Sequence, residues 1–327
     1  MPEVTIIGAG VAGLCCAATL HARGAQVRVI DRAAAPGAHG CSWWAGGMLA
    51  PFCEGESAEE PVVRLGQKAA DWWQDQGIEV HRHGTLVVSP ARDHADLRRF
   101  GKRTVGFTEL SGPQIDALEP DLAGRFAKGL FFGTEAHLTP RKALDRLWTK
   151  LAASGVSFKQ AEVDPAALPG LVVDCRGFSA RDALSDLRGV KGEMLMLSCP
   201  DITLSRPVRL LHPRIPLYVV PRGDGIFMLG ATMIEGAAGK HPTARALLEL
   251  LSAAYALNPA FGEAEVLEIG VDSRPAFPDN LPRVTREGDL IRANGLFRHG
   301  FLLAPALAGM VADAIFDTQE LPHAHSA

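Results

Sequence analysis

The sequence predicts an α/β fold in which a doubly wound, largely parallel sheet is interleaved with an α+β domain built on an antiparallel sheet. Apolar strand patterns alternating with helical patterns occur in residues 1–50, 140–178 and 272–327, as expected for strands covered on both faces. Shorter strand patterns, broken by Pro and Gly, fill residues 51–139 and 179–271. We therefore predict one domain from the first three segments and a second domain from the other two.

The composition is that of a globular protein with a sizeable core. The chain has 327 residues, of which 47% are hydrophobic and 21% are charged. Its formal net charge is -4, which argues against nucleic acid or an anionic membrane as a partner. The N-terminus has no basic leader, and no stretch is long enough to span a bilayer, so we expect a cytoplasmic protein with no membrane partner.

The cysteines and histidines do not predict a metal site. The six cysteines include no CxxC pair, and the histidines have no zinc-ligand spacing beside them. We interpret the cysteines as buried, reduced side chains. His81 and His83, in the sequence HRH, are expected on one exposed face of a strand.

The first part of the chain carries a nucleotide-binding pattern. The strand VTII is followed by GAGVAG, a helical pattern and a second strand that ends at Asp31. Gly8 permits a tight turn, Gly10 lets a pyrophosphate approach the backbone, and Gly13 lets helix and strand pack closely. The helix N-terminus attracts phosphates, and Asp31 can accept hydrogen bonds from a ribose while disfavouring a 2′-phosphate. The pattern predicts a Rossmann-like domain for FAD or NAD; the alternative is a doubly wound fold whose glycine turn binds nothing.

A family resemblance decides between these cofactors. It is carried by VTIIGAGVAGLCCAATLHARGAQVRVID, SWWAGGMLAP, YVVPRGDGIFMLGATM, DSRPAFPDNLPRV and ANGLFRHGFLLAPALA. Together these stretches resemble the D-amino-acid-oxidase-like flavoprotein family, and within it the glycine oxidases of thiamine biosynthesis more than the sarcosine oxidases. The resemblance implies FAD, bound non-covalently between the two domains. One departure is CRGF, where a small-residue turn is more usual.

The resemblance also implies a reaction. A small amino acid or amine is oxidised by hydride transfer to flavin N5, and O2 reoxidises the flavin to give hydrogen peroxide. Glycine would yield the imine or glyoxylate, and the imine could supply a thiazole synthase. Further copies of the chain are a second candidate partner. The alternatives are a D-amino acid or sarcosine oxidase or dehydrogenase, or, in another class, a nucleotide-binding protein that oxidises no amine.

The loop GCSWWAGGMLAP then has a candidate explanation. A flavin ring is flat and wide, so a chain that meets its edge must lack side chains there, and Ala45, Gly46 and Gly47 satisfy this condition. The two tryptophans would wall the cofactor site or pack the domain junction. The alternative is a glycine-rich loop with two core tryptophans. The resemblance and the glycine pattern together assign the cofactor to Gly8, Gly10, Val11, Ala12, Gly13, Asp31, Arg32, Ser42, Trp43, Ala45, Gly46, Gly47, Met48, Val163, Cys175, Gly177, Arg274, Arg298, His299, Gly300, Phe301 and Leu302.

The candidate catalytic residues lie later in the chain, apart from Met48. The Arg274 guanidinium offers a planar fork that matches a carboxylate, and the alternative is a surface arginine at a strand end. Tyr218 could donate to the same carboxylate or be an ordinary strand aromatic, and Met233 could shape the pocket or pack in the core. By the resemblance, Arg298 lies at the active site. We therefore predict that Arg274, Tyr218, Arg298, Met233 and Met48 act on the substrate.

Overall fold

The computed structural model describes residues 1–212, 216–236, 239 and 241–317 of the chain. The last ten residues of the predicted segment 272–327 lie outside this part. The described strands form two large sheets and one small one. The predicted α/β class, with an interleaved α+β half, is confirmed.

A six-stranded sheet forms the first half of the molecule, and five of its strands run parallel. In spatial order the strands are β16 (Arg283–Glu287), β17 (Leu290–Asn294), β9 (Leu171–Asp174), β1 (Glu3–Ile7), β2 (Gln26–Asp31) and β8 (Ser157–Gln160). In β1, Val4 and Ile6 on one face are only 2% and 0% exposed, and Thr5 and Ile7 on the other face are 7% and 4% exposed. Such burial is typical of a central strand with helices on both faces.

The described part of the chain contains nine α-helices in addition to the strands. The α-helices are α1 (Val11–Ala22), α2 (Pro51–Glu54), α3 (Glu60–Gly66), α4 (Ala69–Asp75), α5 (His94–Arg103), α6 (Gly112–Leu118), α7 (Pro140–Ala153), α8 (Ala244–Leu257) and α9 (Gly300–Phe316). Helices α1 and α9 pack against each other in the core of the six-stranded sheet. Both are apolar on nearly every side, because each is buried between the sheet and other helices.

A nine-stranded sheet forms the second half, and its pairs are antiparallel except β4 with β11. Its strands in spatial order are β14 (Ile234–Glu235), β10 (Arg188–Ser198), β13 (Ile226–Gly230), β12 (Leu217–Gly223), β11 (Val208–Leu210), β4 (Thr85–Val88), β6 (Lys128–Phe132) and β5 (Thr108–Ser111), with β15 (Glu265–Ala276) paired to β10. A separate apolar core covers it, to which α6 and α8 contribute. The small sheet joins β3 (Met48–Leu49) to β7 (Ala136–His137).

The domain boundaries stay a prediction, but the packing bears on them. The strands of the six-stranded sheet fall inside the segments predicted for the first domain. Helices α3 and α4 lie in the segment 51–139, predicted for the second domain, yet Val62, Ala69 and Trp73 pack in the core of the six-stranded sheet. Strand β15 continues through the predicted boundary at residue 272.

Candidate active site

A cavity of about 1430 Å³ lies between the two large sheets. It exceeds the roughly 300–1,000 Å³ of pockets for drug-sized ligands. The six-stranded sheet contributes the carboxyl ends of its parallel strands, where such folds bind ligands. Of the predicted site residues, those lining the cavity are Gly8, Gly10, Val11, Ala12, Asp31, Arg32, Ser42, Trp43, Ala45, Gly46, Gly47, Met48, Val163, Cys175, Gly177, Tyr218, Met233, Arg274, Arg298, His299, Gly300, Phe301 and Leu302.

The glycine turn between β1 and α1 is fixed by close backbone packing. Gly8 has φ +101°, and a Cβ there would lie 2.6 Å from the carbonyl oxygen of Cys175. A Cβ on Gly13 would lie 1.8 Å from the carbonyl oxygen of Gly8. Gly13 is therefore required for α1 to pack against the turn and, unlike Gly8 and Gly10, does not line the cavity. The hydroxyl of Ser42 accepts a hydrogen bond from the Val11 N–H at 3.1 Å, at the start of α1.

Asp31 ends β2 beside this turn. Its Oδ2 accepts a hydrogen bond from the Ala9 N–H at 2.6 Å, and its Oδ1 accepts one from the Ala33 N–H at 2.8 Å. Each carboxylate oxygen has two acceptor sites, so the side chain can still accept from a hydroxyl in the cavity that it lines. Asp31 thus both fixes the turn and offers an acceptor to a ribose.

The two tryptophans lie between the halves as well as on the cavity wall. A Cβ on Gly270 of β15 would lie 2.2 Å from the Trp44 ring, so the indole packs directly on that strand. The Arg141 guanidinium lies over both rings, with Cζ 4.8 Å from the centroid of Trp43 and 5.2 Å from that of Trp44. Arg141 also pairs with Glu268 of β15 at 2.7 Å. These residues tie α7 and the tryptophan loop to the nine-stranded sheet.

The missing side chain of Gly47 makes room for a neighbouring part of the chain. Gly47 has φ +71°, and a Cβ there would lie 2.3 Å from the Leu138 carbonyl oxygen and 2.8 Å from Pro140 Cδ. This close contact alone requires a glycine, and Gly47 also lines the cavity, so its contact with a flat ring stays a prediction. At Gly46 a Cβ would lie 3.0 Å from the ring of Tyr218.

Arg222 supports this loop and was not predicted. Its guanidinium donates to the carbonyl oxygens of Gly46 at 2.8 Å, Ala45 at 3.3 Å and Leu138 at 3.1 Å. Burial, with a smaller contribution from Arg141, lowers the pKa of Arg222 to about 10. The side chain is still a cation at neutral pH and fixes three carbonyl groups. The sequence offered one signal for Arg222, because it directly follows YVVP in a stretch that carries the family resemblance.

Arg274 and Tyr218 project into the cavity from the nine-stranded sheet. Arg274 lies across Gly192 of β10, where a Cβ would come within 2.2 Å of its Nη2. Its Nη1 donates to the Thr232 carbonyl oxygen at 3.0 Å, which fixes the plane of the guanidinium. Tyr218 lies against Gly230, where a Cβ would come within 2.4 Å of its ring. Both side chains therefore depend on a glycine in a neighbouring strand.

A buried carboxylate, Glu54, lies at the same end of the cavity and was not predicted either. It forms ion pairs with Arg209 and with Arg298 Nη2 at 2.9 Å, and His299 Nδ1 lies 3.4 Å from its Oε2. Burial alone would raise the pKa of this carboxyl, but Arg298 and Arg209 hold it well below its usual range. Burial lowers the pKa of His299 to about 4, so that histidine is neutral at pH 7.

The histidines form a cluster that the sequence reading only partly anticipated. His83 is exposed, but His81 is half-buried and stacks on the buried His137 with 4.9 Å between ring centroids. Burial, followed by the charge of His81, lowers the pKa of His137 to about 3. Among the described residues, no group of three or more His, Cys, Asp and Glu side chains has an arrangement that could hold a metal ion. Nor is any helix of the described ranges long and apolar enough to cross a membrane.

Comparisons with known proteins identify the family. Residues 3–314 match the family model described as FAD dependent oxidoreductase. A Rhizobium etli protein named as the thiamine biosynthesis oxidoreductase ThiO is 53% identical over 98% of both chains. A bifunctional ThiO/ThiG protein of Nostoc is 26% identical over 98% of this chain and 53% of its own length. The crystal structure of the Geobacillus kaustophilus glycine oxidase superposes with a TM-score of 0.81 at 22% identity, over 98% of this chain and 96% of that one.

The cavity also fits the cofactor of that family. The N-termini of two helices, α1 and α9, open onto it, and each presents N–H groups without intrahelical acceptors. The turn at Gly8 brings backbone rather than side chains to the wall, and Asp31 supplies the acceptor for a ribose. Because the family match extends over nearly the whole chain and the cavity can hold a dinucleotide, the protein belongs to the FAD-dependent oxidoreductases of the D-amino-acid-oxidase type, with FAD as its cofactor.

Proposed function

We propose that this protein oxidises glycine with O2 as the final electron acceptor. The Cα–H of glycine leaves as hydride while the amine nitrogen forms a C=N bond and releases a proton. Hydrolysis of the imine gives glyoxylate and ammonia, and O2 takes up two electrons and two protons to become hydrogen peroxide. Bound FAD supplies the hydride acceptor. The observation that carries the proposal is the placement of Arg274 and Tyr218 on the wall of the cavity that the glycine turn also lines.

The substrate carboxylate has a natural partner in Arg274. Its guanidinium is held in one plane by Gly192 and by the Thr232 carbonyl, so it can meet a carboxylate with two parallel hydrogen bonds. The Tyr218 hydroxyl can donate to the same group. This arrangement fixes the substrate by its acid end and leaves its Cα–H to be oriented by the cavity wall.

The remaining candidate residues close the pocket around a small substrate. Arg298 Nη1 lies 3.9 Å from Met233 Sδ, and Met48 lines the cavity as well. No acid–base side chain is needed if glycine reacts with a neutral amine, because the hydrogen then leaves as hydride. The N-terminus of α9 lines the cavity, and its positive end would stabilise the negative charge of a reduced flavin bound beside it.

The relatives support glycine and a biosynthetic role. The Rhizobium etli relative is named for thiamine biosynthesis, and a Pseudomonas aeruginosa protein that is 24% identical over 95% of this chain is named glycine oxidase. In the Nostoc relative, of which this chain spans about half, a ThiO part and a ThiG part share one polypeptide. We infer that the imine formed here serves a thiazole synthase. Self-association stays a prediction.

An anaerobic titration of the purified holoenzyme with glycine tests the reaction. We expect the absorbance bands of oxidised flavin to disappear and to return, with peroxide formed, when air is admitted. A protein that bleaches with sarcosine or a D-amino acid but not with glycine would replace the proposed substrate by the alternative. Bleaching that air does not reverse would point to a dehydrogenase.

A further inference from the structure

The carboxylate of Glu54 connects groups from both halves of the molecule. Glu54 is the last residue of the short helix α2, and only 7% of its surface is exposed. One partner, Arg209, lies on β11 of the nine-stranded sheet. The other two, Arg298 and His299, directly precede α9 in the other half. Glu54 therefore links the wall of the cavity that carries Arg209 to the wall that carries Arg298.

Glu54 also determines the orientation of Arg298. Nη2 of Arg298 is 2.9 Å from Glu54 Oε2 and donates to Ser57 Oγ at 2.6 Å. Within the described ranges no other carboxylate pairs with Arg298, and its Nε has no hydrogen-bond partner. The guanidinium faces the cavity with its Nη1 toward Met233. Without Glu54, Arg298 loses its ion pair and keeps the hydrogen bond to Ser57 and the contact with Met233.

The carboxylate of Glu54 pairs with two guanidinium groups, and Arg209 is the more buried of the two. Its side chain is 14% exposed, and a buried cation without a partner is strongly destabilising. Glu135 also acts on Arg209, but Glu54 is the carboxylate that pairs with it directly. Glu54 therefore neutralises Arg209, while Arg298 retains N–H groups that an anion in the cavity can reach.

We propose that Glu54 is a positioning residue for substrate binding, which acts by holding Arg298 in the orientation from which its positive charge attracts the substrate anion that Arg274 binds. This inference rests on the proposed function, because Arg298 is assigned to the substrate there. It adds two residues, Glu54 and Arg209, to the machinery. It predicts that Glu54 matters for binding only as long as Arg298 is present.

A double-mutant cycle on the holoenzyme tests this coupling. Glycolate, a carboxylate that lacks the amine, serves as the probe, and its Kd is measured from the change in the flavin spectrum. We expect Glu54→Gln and Arg298→Gln each to weaken glycolate binding and raise the glycine KM about tenfold, with kcat changed much less. The double variant should bind glycolate no more weakly than Arg298→Gln alone, because Glu54 has then nothing left to position.

Two further variants separate positioning from loss of stability. Glu119→Gln breaks a buried pair with Arg206 that lies outside the cavity, so it should lower the melting temperature without changing the glycolate Kd. Glu54→Asp keeps the charge beside Arg209 but withdraws it from Arg298 by one methylene. It should weaken glycolate binding with FAD still bound, even if the Gln variant does not fold.

The proposal fails if Glu54→Asp binds glycolate as tightly as the wild type, if the effects of the two Gln variants multiply in the double variant, or if the wild type binds no glycolate. A wild type that glycine does not reduce but that shows a non-additive cycle would reject the proposed substrate and leave the positioning role standing.

Discussion

At the scale of single residues, the cavity depends on side chains that are absent as much as on those present. Arg274 can lie flat across β10 only because residue 192 is glycine, and Tyr218 lies flat against Gly230. Arg222 fixes the tryptophan loop by donating hydrogen bonds to the carbonyl oxygens of Ala45, Gly46 and Leu138. Each functional side chain thus has a partner elsewhere in the chain that holds it in place.

Removing the Arg274 guanidinium should weaken substrate binding while FAD stays bound. A hydrogen bond to a charged group contributes about 1.5–3 kcal/mol, so Arg274→Ala should raise the glycine KM roughly 10- to 100-fold. Steady-state kinetics with glycine measures this. Arg283→Ala is the control, because Arg283 pairs with Asp186 and Asp279 outside the cavity. An unchanged KM in Arg274→Ala would reject the carboxylate role.

His137 should make the fold less stable in mild acid. Its folded pKa of about 3 lies below the ordinary value of about 6.5, so the unfolded chain binds the extra proton. The contribution of neutral His137 to the free energy of unfolding is complete above pH 6.5 and is lost as the pH falls toward 3. Between pH 7 and pH 5 this amounts to about 2 kcal/mol.

Urea unfolding of the holoenzyme at pH 7 and pH 5 measures this effect. His137→Gln should lose less free energy of unfolding between the two pH values than the wild type does. His21→Gln replaces a histidine of α1, outside the cluster, and serves as the control. If His137→Gln shows the same pH dependence as the wild type, His137 is not the group responsible.

At the scale of elements, α1 is held at a fixed distance from the turn that precedes it. The Gly13 position leaves no room for even one methyl group, since a Cβ would overlap the Gly8 carbonyl oxygen at 1.8 Å. The helix N-terminus would have to move away from the cavity to admit one. The glycine pattern is therefore a packing requirement first, and the binding of phosphates follows from it.

Gly13→Ala should consequently abolish or severely weaken FAD binding. The matched control is Gly309→Ala in the middle of α9, where nothing lies within 4 Å of the added Cβ. That change should be neutral or stabilise the fold by up to about 1 kcal/mol, because alanine favours the helix. The FAD content after purification measures the effect of Gly13→Ala, and the melting temperature measures the effect of Gly309→Ala. A Gly13→Ala protein with a full complement of FAD would contradict the packing argument.

At the scale of the whole molecule, the cavity has walls that come from both large sheets, so a cofactor that fills it would join them. A ligand that binds only the folded state stabilises it by about 2.7 kcal/mol at a hundred times its Kd. FAD added to the apoprotein should therefore raise the melting temperature by several degrees. FMN lacks the adenosine half and cannot use Asp31, so it should have a much smaller effect. Equal shifts with FMN and FAD would show that the Asp31 end of the cavity is not used.

The sequence was most informative where its signals are local. The strand, glycine turn, helix and second strand that end at Asp31 follow one another within the first part of the chain, so their order alone predicts the unit. Glu54 and Arg209 carry no such signal. They are 155 positions apart, Glu54 ends a four-residue helix, and only the tertiary fold brings them together.

Two other differences have the same origin. Gly47 was assigned to the cofactor because a bare loop suits a flat ring, but its steric neighbour, Leu138, comes from a distant part of the sequence. Helices α3 and α4 follow a nucleotide-binding segment and precede antiparallel strands, so position in the chain could not show that Trp73 packs against Phe301 of α9. Both contacts join distant parts of the sequence, so they can be known only from which surfaces face each other in the folded chain.

The packing of α1 against α9 has a consequence for biosynthesis of the protein. Helix α1 leaves the ribosome before α9, with about 280 residues of translation between the two helices. Until α9 emerges, one face of β1 and α1 has no partner, and the wall formed by His299 and Gly300 does not exist. We therefore expect FAD to bind only after α9 has emerged, and the apolar surface of α1 to be a site of aggregation of the nascent chain until then.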